Sequence, residues 1–241
     1  MAKPPSLPAG SAVQAFLRRA ESLPALRPTA RPPEARLLFA VDATASRQPA
    51  WDRACAVQGE MFLAVEGMER GLAVSLAYYR GFREFAATPF LTDGRELARR
   101  MAGVACLGGQ TQILRVLEHG LRLAPSRAAG GEALRAVVFV GDAVEEAPDA
   151  LCHAAGQLGA AGLPVFAFQE GHDPLAREVL RQVARLSGGA WAPFDSTSPR
   201  ALAELLRAAA TYAAGGATAL RSLAGPLAAG LAGQLPAPRR G

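Results

Sequence analysis

The stretch from residue 37 to residue 46 reads Leu-Leu-Phe-Ala-Val-Asp-Ala-Thr-Ala-Ser, and it decides the fold. Its first five residues are apolar without interruption, which is typical of a β-strand that is buried on both faces of a parallel sheet. The apolar run stops at the carboxylate of Asp42, and hydroxyl side chains follow at Thr44 and Ser46. Because a sheet buried on both faces needs helices on both sides, the stretch predicts an α/β fold.

Apolar runs of the same kind recur along the chain and alternate with amphipathic stretches. Further strands are predicted at 71–79, 136–140, 164–168 and 190–193, and helices at 49–66, 93–101, 110–123, 149–160, 174–186 and 198–213. Asp93, Asp149 and Ser198 are the predicted caps of three of these helices. The turn signal Arg80-Gly81 predicts that residues 82–86 return as an antiparallel strand. We therefore expect a doubly wound, mostly parallel sheet with one short antiparallel edge strand.

The composition divides the chain into a central domain and two flanking segments. Residues 1–33 are rich in proline around a short helix predicted at 11–23, and we interpret them as an arm or a loose leader. Residues 34–213 carry the alternating pattern and form the predicted domain. Residues 214–241 are rich in glycine, alanine and proline, which is typical of a poorly ordered tail; a docking tail is the alternative.

Composition also excludes several classes of function. The net charge is +5, but the arginines are scattered and aromatic residues make up only 6% of the chain, whereas nucleic-acid surfaces usually combine clustered charge with aromatics. Cys55, Cys106 and Cys152 form no Cys-x-x-Cys pair, which indicates reduced thiols rather than disulfides or a zinc finger. The N-terminus lacks a signal-peptide pattern, and no run of about 18 apolar residues occurs. We expect a cytoplasmic protein without a membrane span.

Oxygen-bearing side chains follow several of the predicted strands, at the edge of a parallel sheet where ligands bind. The first loop carries Asp42, Thr44 and Ser46, the Gly-Gly-Gln-Thr loop at 108–111 delivers Thr111, and Asp142 follows the strand at 136–140. Oxygen atoms are the ligands that Mg²⁺ prefers. With only two carboxylates among the five residues, a bound ion would still attract an incoming carboxylate. The set therefore favours binding of an acidic group over its catalytic conversion.

These motifs resemble the metal-ion-dependent adhesion site of von Willebrand factor A (VWA) domains. The shared pattern is Asp-x-Thr-x-Ser after a buried strand, a Gly-Gly-x-Thr loop and a later strand that ends in Asp, and it covers roughly residues 37–213. The resemblance implies a Rossmann-like fold with Mg²⁺ or Mn²⁺ at the end of the sheet. By similarity, Thr44 and Ser46 would coordinate the metal directly and Thr111 would join or leave with the ligand. Asp42 and Asp142 would act largely through water.

The sequence departs from the family pattern at two positions. Thr44 stands where the family has its first serine, which keeps the hydroxyl and adds a methyl group. Asp142 lies in the order Gly141-Asp142-Ala143 instead of the usual Thr-Asp-Gly, so the glycine after the acid is missing. Glu145 and Glu146 lie three and four residues after Asp142. They could add to the groups around the metal, but they are more typical of a solvated acidic turn.

The function predicted from these residues is that of a metal-dependent protein-binding module of bacterial origin. Its partner would present an acidic residue, and the resemblance suggests an ATPase or an assembly factor. Two alternatives stay open: a VWA-like scaffold that binds partners without metal, and a metal-assisted phosphate-handling enzyme. Against an enzyme, the chain has no Gly-x-x-x-x-Gly-Lys loop, no Gly-x-Gly-x-x-Gly after the first strand and no Gly-x-Ser-x-Gly elbow.

Overall fold

The computed structural model describes residues 35–45, 72–124, 134–195 and 199–237. The proline-rich segment 1–33, the helix predicted at 49–66 and Ser46 lie outside the described residues.

The described residues contain one six-stranded sheet in the order β3-β2-β1-β4-β5-β6. β2, β1, β4, β5 and β6 run parallel to one another, and β3 pairs antiparallel with β2 at the edge. The strand bounds are β1 Ala35–Asp42, β2 Leu72–Arg80, β3 Glu84–Ala87, β4 Leu134–Gly141, β5 Val165–Glu170 and β6 Ala190–Phe194. The predicted mostly parallel sheet with one antiparallel edge strand is thereby confirmed.

Helices lie between the strands and after β6. Their bounds are α1 Gly94–Ala102, α2 Ile113–Leu123, α3 Pro148–Ala160, α4 Pro174–Ser187, α5 Pro199–Ser222 and α6 Pro226–Gln234. Asp93 caps α1 as predicted, because its side chain accepts hydrogen bonds from the amides of Arg95 and Glu96. The predicted cap at Asp149 is wrong: α3 begins at Pro148, so Asp149 lies in the first turn. The missing N–H of proline costs nothing at a helix start, which explains the shift.

The two faces of the sheet bury two separate sets of apolar side chains. Alternation along β1 sends Leu37, Phe39 and Val41 to one face, where they pack with α1, α5 and α6. Leu38 and Ala40 point to the other face and pack with α2, α3 and α4. This double burial is the physical reason why β1 is apolar at every position from residue 37 to residue 41.

Most of the segment from residue 215 to residue 237 is helical, in two helices with a kink at Gly216, which corrects the expectation of a poorly ordered tail. The helix α5 continues past residue 213 to Ser222, with Gly216 at a φ of 70°, and α6 follows after Gly225. Leu220 and Leu231 are buried in the same core as Phe39. Small alanine and glycine side chains let these helices lie close to the sheet, so the composition that suggests disorder here serves packing.

Among the described residues, no helix combines the length and apolar character needed to cross a bilayer.

Two glycines in α3 provide a matched test of the packing between α3 and α4. A Cβ at Gly159 would lie 2.3 Å from the carbonyl oxygen of Leu186, whereas a Cβ at Gly156 would meet nothing within 4 Å. We expect Gly156→Ala to raise the free energy of unfolding by about 0.5–1 kcal/mol, because alanine favours the helix. Gly159→Ala should lower it, since the backbone of α4 must move. Urea unfolding measures both, and equal stabilisation would contradict the close contact.

Candidate functional site

The carboxyl ends of β1 and β4 lie side by side where the strand order reverses. β1 has β2 on one side and β4 on the other, and Val41 pairs with Val140. A Cβ at Gly141 would lie 3.6 Å from the Cβ of Asp42. Reversal points of this kind are where open parallel sheets form ligand crevices. The structure thus places Asp42 and Asp142 on neighbouring strand ends at this edge.

Asp42 is fully buried, and both of its carboxylate oxygens accept hydrogen bonds. Oδ1 accepts from the amide of Thr44 at 2.8 Å, and Oδ2 accepts from the hydroxyl of Tyr79 at 3.1 Å. The first contact folds the chain into a tight turn after β1, and the second ties that turn to β2. As a result, Thr44 is held at the edge of the sheet and is also buried.

The loop that precedes Thr111 lies directly against the turn after β1. Thr44 and Leu107 form an isolated parallel bridge, and the amide of Leu107 donates to the carbonyl of Ala43 at 3.1 Å. A Cβ at Gly109 would lie 2.1 Å from the carbonyl oxygen of Gly81, so only glycine permits this approach. The second glycine of the Gly-Gly-x-Thr sequence, Gly109, is therefore required by close contact with the backbone of Gly81, just after β2, whereas a Cβ at Gly108 would meet nothing within 4 Å.

Thr111 is joined to the loop after β4 by a reciprocal pair of hydrogen bonds. The amide of Thr111 donates to Oε2 of Glu145 at 2.8 Å, and the amide of Glu145 donates to Oγ1 of Thr111 at 3.0 Å. Because Glu145 lies three residues after Asp142, this pair brings the Thr111 loop to the Asp142 loop. The structure thus gathers four of the five predicted residues at one edge of the sheet; Ser46 lies outside the described residues.

Glu146 caps α2 from a distant part of the chain. Its carboxylate accepts from the amides of Ile113 at 2.6 Å and Leu114 at 2.8 Å. Glu145 is exposed, as expected of a solvated turn, and Glu146 is half-buried. What the expectation left out is that both carboxylates accept hydrogen bonds from backbone amides. A signal was present in the sequence: α2 has no acid in its first turn. Its four free N–H groups therefore needed acceptors from elsewhere.

Asp142 carries an oxygen whose hydrogen bonding is incomplete. Its Oδ1 is buried, and no described residue donates a hydrogen bond to it. A buried acceptor without a donor costs about 1–3 kcal/mol. Such an atom is suited to contact a cation or an ordered water.

Gln169 is, after Asp142, a second residue at this edge with a buried oxygen that lacks a donor among the described residues. The sequence did not single it out. It pairs with Gly141 in the register of β4 and β5 and is fully buried. Its Nε2 donates to the carbonyl of Asp173 at 2.8 Å, while within the described part of the chain its buried Oε1 has no donor. The available signal was a polar residue that ends the apolar run 165–168.

Arg80 is the basic group at the end of β2. Its guanidinium donates to the carboxylate of Glu84 at 2.8 Å and to the carbonyl of Ala105 at 2.7 Å. The hydrogen bond with Glu84 raises the pKa of Arg80. Arg80 therefore stays charged and fastens the β2–β3 hairpin to the loop that precedes Leu107.

The Glu146 cap can be tested separately from any ligand. We expect Glu146→Ala to lower the free energy of unfolding by about 1–2 kcal/mol, because two amides lose a charged acceptor at a helix N-terminus. Amide hydrogen exchange at Ile113 and Leu114 should accelerate. Glu118→Ala, on the exposed side of the same helix, is the matched control and should change stability by less than about 0.5 kcal/mol. Equal losses in the two variants would contradict the capping role.

Known proteins resemble this chain in structure, but no sequence comparison finds a match. No protein-family model matches the chain, and no curated protein matches it. Among solved structures, BatB from Bacteroides thetaiotaomicron is 15% identical, with 71% of this chain and 97% of that chain covered at a TM-score of 0.55. The SpRpn10 VWA domain is 10% identical, with 71% and 93% covered at a TM-score of 0.54.

The vWF domain of the type V pili tip protein Mfa5 from Porphyromonas gingivalis is 11% identical, with 73% of this chain and 93% of that chain covered at a TM-score of 0.52. In each of the three structures nearly the whole of the matched chain is covered, so the similarity spans a complete domain. Together with the six-stranded, mostly parallel sheet flanked by helices, these matches show that the chain has the Rossmann-like fold of VWA domains.

Proposed function

We propose that the chain is a protein-binding module that holds a divalent cation, Mg²⁺ or Mn²⁺, at the carboxyl edge of its sheet. The residues proposed to hold the cation are Asp42, Thr44, Ser46, Thr111 and Asp142. The partner is a protein that presents an acidic residue to this site, such as an ATPase or an assembly factor. The proposed location is the cytoplasm, and no catalytic residue is assigned.

The observation that carries the proposal is the buried Oδ1 of Asp142, which lacks a hydrogen-bond donor among the described residues. It lies next to the strand end that holds Asp42 and in the loop that is bonded to Thr111. An acceptor in this position is unfavourable without a cation or a water. Occupation by a cation would remove that cost.

The chemistry of the surrounding side chains suits a hard cation. The described members of the set, like Ser46, offer oxygen atoms only, which favours Mg²⁺ or Mn²⁺ over metals that prefer sulfur or imidazole. Oγ1 of Thr111 accepts one hydrogen bond, from Glu145, and a hydroxyl has a second lone pair. Asp42 uses its oxygens within the protein, which agrees with an indirect role through water.

A bound cation would supply positive charge for the carboxylate of a partner. This chain's own residues do the remaining work: Asp42 fixes the turn that presents Thr44, and Glu145 positions Thr111. Asp42, Thr44 and Thr111 are buried, which lowers the local dielectric constant and strengthens the attraction between the site and a cation. Binding of an acidic group requires no proton transfer and no nucleophile.

A scaffold that binds partners without metal is the second candidate. The observation that favours it is that the hydrogen bonds of Asp42 and of Thr111 are already made within the protein. The loops would then keep their shape with no ion present. The two candidates differ in whether divalent metal changes stability and partner binding.

Metal binding is tested by thermal unfolding of the full chain in EDTA, Mg²⁺ and Mn²⁺. A ligand at about 100 times its Kd stabilises a fold by about 2.7 kcal/mol, which raises Tm by roughly 5–10 °C in a chain of this size. We expect this rise in the wild type and its loss in Asp142→Ala. In EDTA, Asp142→Ala should be at least as stable as the wild type, because the variant removes an acceptor that has no donor.

Asp142 is a better position for this test than Asp42, since Asp42→Ala would also strip hydrogen bonds from Thr44 and Tyr79. Asp149→Ala, an exposed acid in the first turn of α3, is the matched control and should keep the metal-dependent rise. If millimolar metal leaves Tm of the wild type unchanged, the metal-free scaffold replaces the proposal.

A further inference from the structure

The turn between β2 and β3 holds an aromatic side chain out in solvent. Phe82, at the tip of this turn, is 91% exposed. The sequence predicts it as the first residue of the returning strand, but β3 begins only at Glu84. The ring lies at the edge of the sheet where a ligand site is expected, which makes it a candidate contact for a partner.

The turn is braced rather than loose. Gly81 and Arg83 have φ values of 54° and 58°, and a non-glycine residue in this region is uncommon. The carbonyl of Arg83 accepts a hydrogen bond from Nη1 of Arg115 at 2.7 Å, which ties the turn to α2. Unusual backbone conformations that the surroundings enforce are concentrated at functional sites. The backbone next to Phe82 is therefore held by contacts within the protein.

Leu107 is a second exposed apolar side chain, beside this turn and next to Thr44 of the candidate metal site. Its side chain is 45% exposed, and a Cβ at Gly81 would lie 3.8 Å from the Cβ of Leu107. Leu107 also pairs with Thr44 across the bridge described above. Phe82 and Leu107, with the guanidinium groups of Arg83 and Arg115, are called the Phe82 patch below.

The rim of the Phe82 patch is positively charged. The guanidinium of Arg83 lies 5.5 Å from the ring centre of Phe82, and Arg115 is exposed on α2. Within the described part of the chain, neither arginine forms an ion pair with a carboxylate. The patch therefore offers an apolar contact and two positive charges next to a site that would attract a carboxylate. Nη1 of Arg115 already donates to the carbonyl of Arg83 and to Oε1 of Gln112.

We propose that the Phe82 patch docks the segment of the partner that flanks its metal-bound acid. That segment carries an apolar side chain, which packs on Phe82 and Leu107, and a second acid, which faces Arg83 and Arg115. The inference rests on the proposed function and specifies the partner as an acidic segment with an apolar anchor. Charge complementarity selects this occupant over a basic or a purely apolar one.

The probe for the test is a displayed library of short random peptides, selected on the full chain in millimolar Mg²⁺. We expect selected peptides to combine Asp or Glu with an apolar residue and to dissociate in EDTA. Phe82→Ala should weaken their binding about tenfold, as for an aromatic hot spot. Arg83→Gly, which keeps the positive φ, should weaken binding most at low salt.

Matched controls come from other parts of the surface. Leu186→Ala removes an exposed leucine at the far end of α4, and Arg207→Ala removes an exposed arginine on α5. Both variants should bind the peptides as the wild type does. Each substituted side chain is exposed, so the fold should be preserved.

Several outcomes would overturn the inference, and they differ from failure of the metal site. If metal-dependent peptides bind Phe82→Ala as tightly as the wild type, the Phe82 patch is not a docking surface, but the proposed function still holds. Selected peptides without acids, or Phe82-dependent binding to phosphatidylserine vesicles instead of peptides, would also overturn it. The inference also fails if Mg²⁺ raises Tm but the library yields no peptide that binds. Failure of the proposed function appears separately, as a Tm that metal does not change.

Discussion

The carboxylate of Asp42 is the contact on which the carboxyl edge of the sheet depends. One oxygen holds the amide of Thr44 and the other holds the hydroxyl of Tyr79, so a single buried side chain links the turn after β1 to β2. A buried carboxylate is tolerated only when its oxygens are satisfied, and here the protein satisfies both. With that turn fixed, Thr44 pairs with Leu107 and the Thr111 loop has a surface to lie on. The protein's own hydrogen bonds thus shape this edge.

The loop after β4 connects this edge to α2. Glu145 exchanges two hydrogen bonds with Thr111, and Glu146 accepts from the first amides of the helix. A displacement of Thr111 would therefore pull on the loop that also contains Asp142. The predicted ligand residues are joined mechanically, although they are distant in sequence.

Strands were predictable because burial on both faces leaves an uninterrupted apolar run, as in residues 37–41. Asp93 was predictable because an N-cap is a local contact. Glu146 was not, since its partner amides are more than thirty residues away and meet it only in the folded chain. The common location of Asp42, Thr111 and Asp142 could be predicted from the order of strands and loops. The hydrogen bonds of Asp42 to Thr44 and Tyr79 could not, because they form only in the folded chain. The exposure of Phe82 could not be predicted, because an apolar residue just after a turn is usually the start of the returning strand.

The tail could not be predicted for a different reason. Alanine, glycine and leucine form a low-complexity sequence whether the segment is loose or packed, and α6 carries no clear polar face. What distinguishes the two cases is the surface that receives the helix. Here that surface is the face of the sheet that also carries Phe39 and Phe166.

The contact of α6 with the last strand also bears on solubility. Gln234 accepts from the amide of Trp191 and donates to its carbonyl, both at 2.9 Å. The side-chain amide thus copies the donor and acceptor of a neighbouring strand at the open border of the sheet. Unpaired strand borders recruit other chains and begin aggregates. Gln234 occupies the donor and acceptor of Trp191, so the C-terminal helix removes one pairing position from the border that β6 presents to other molecules.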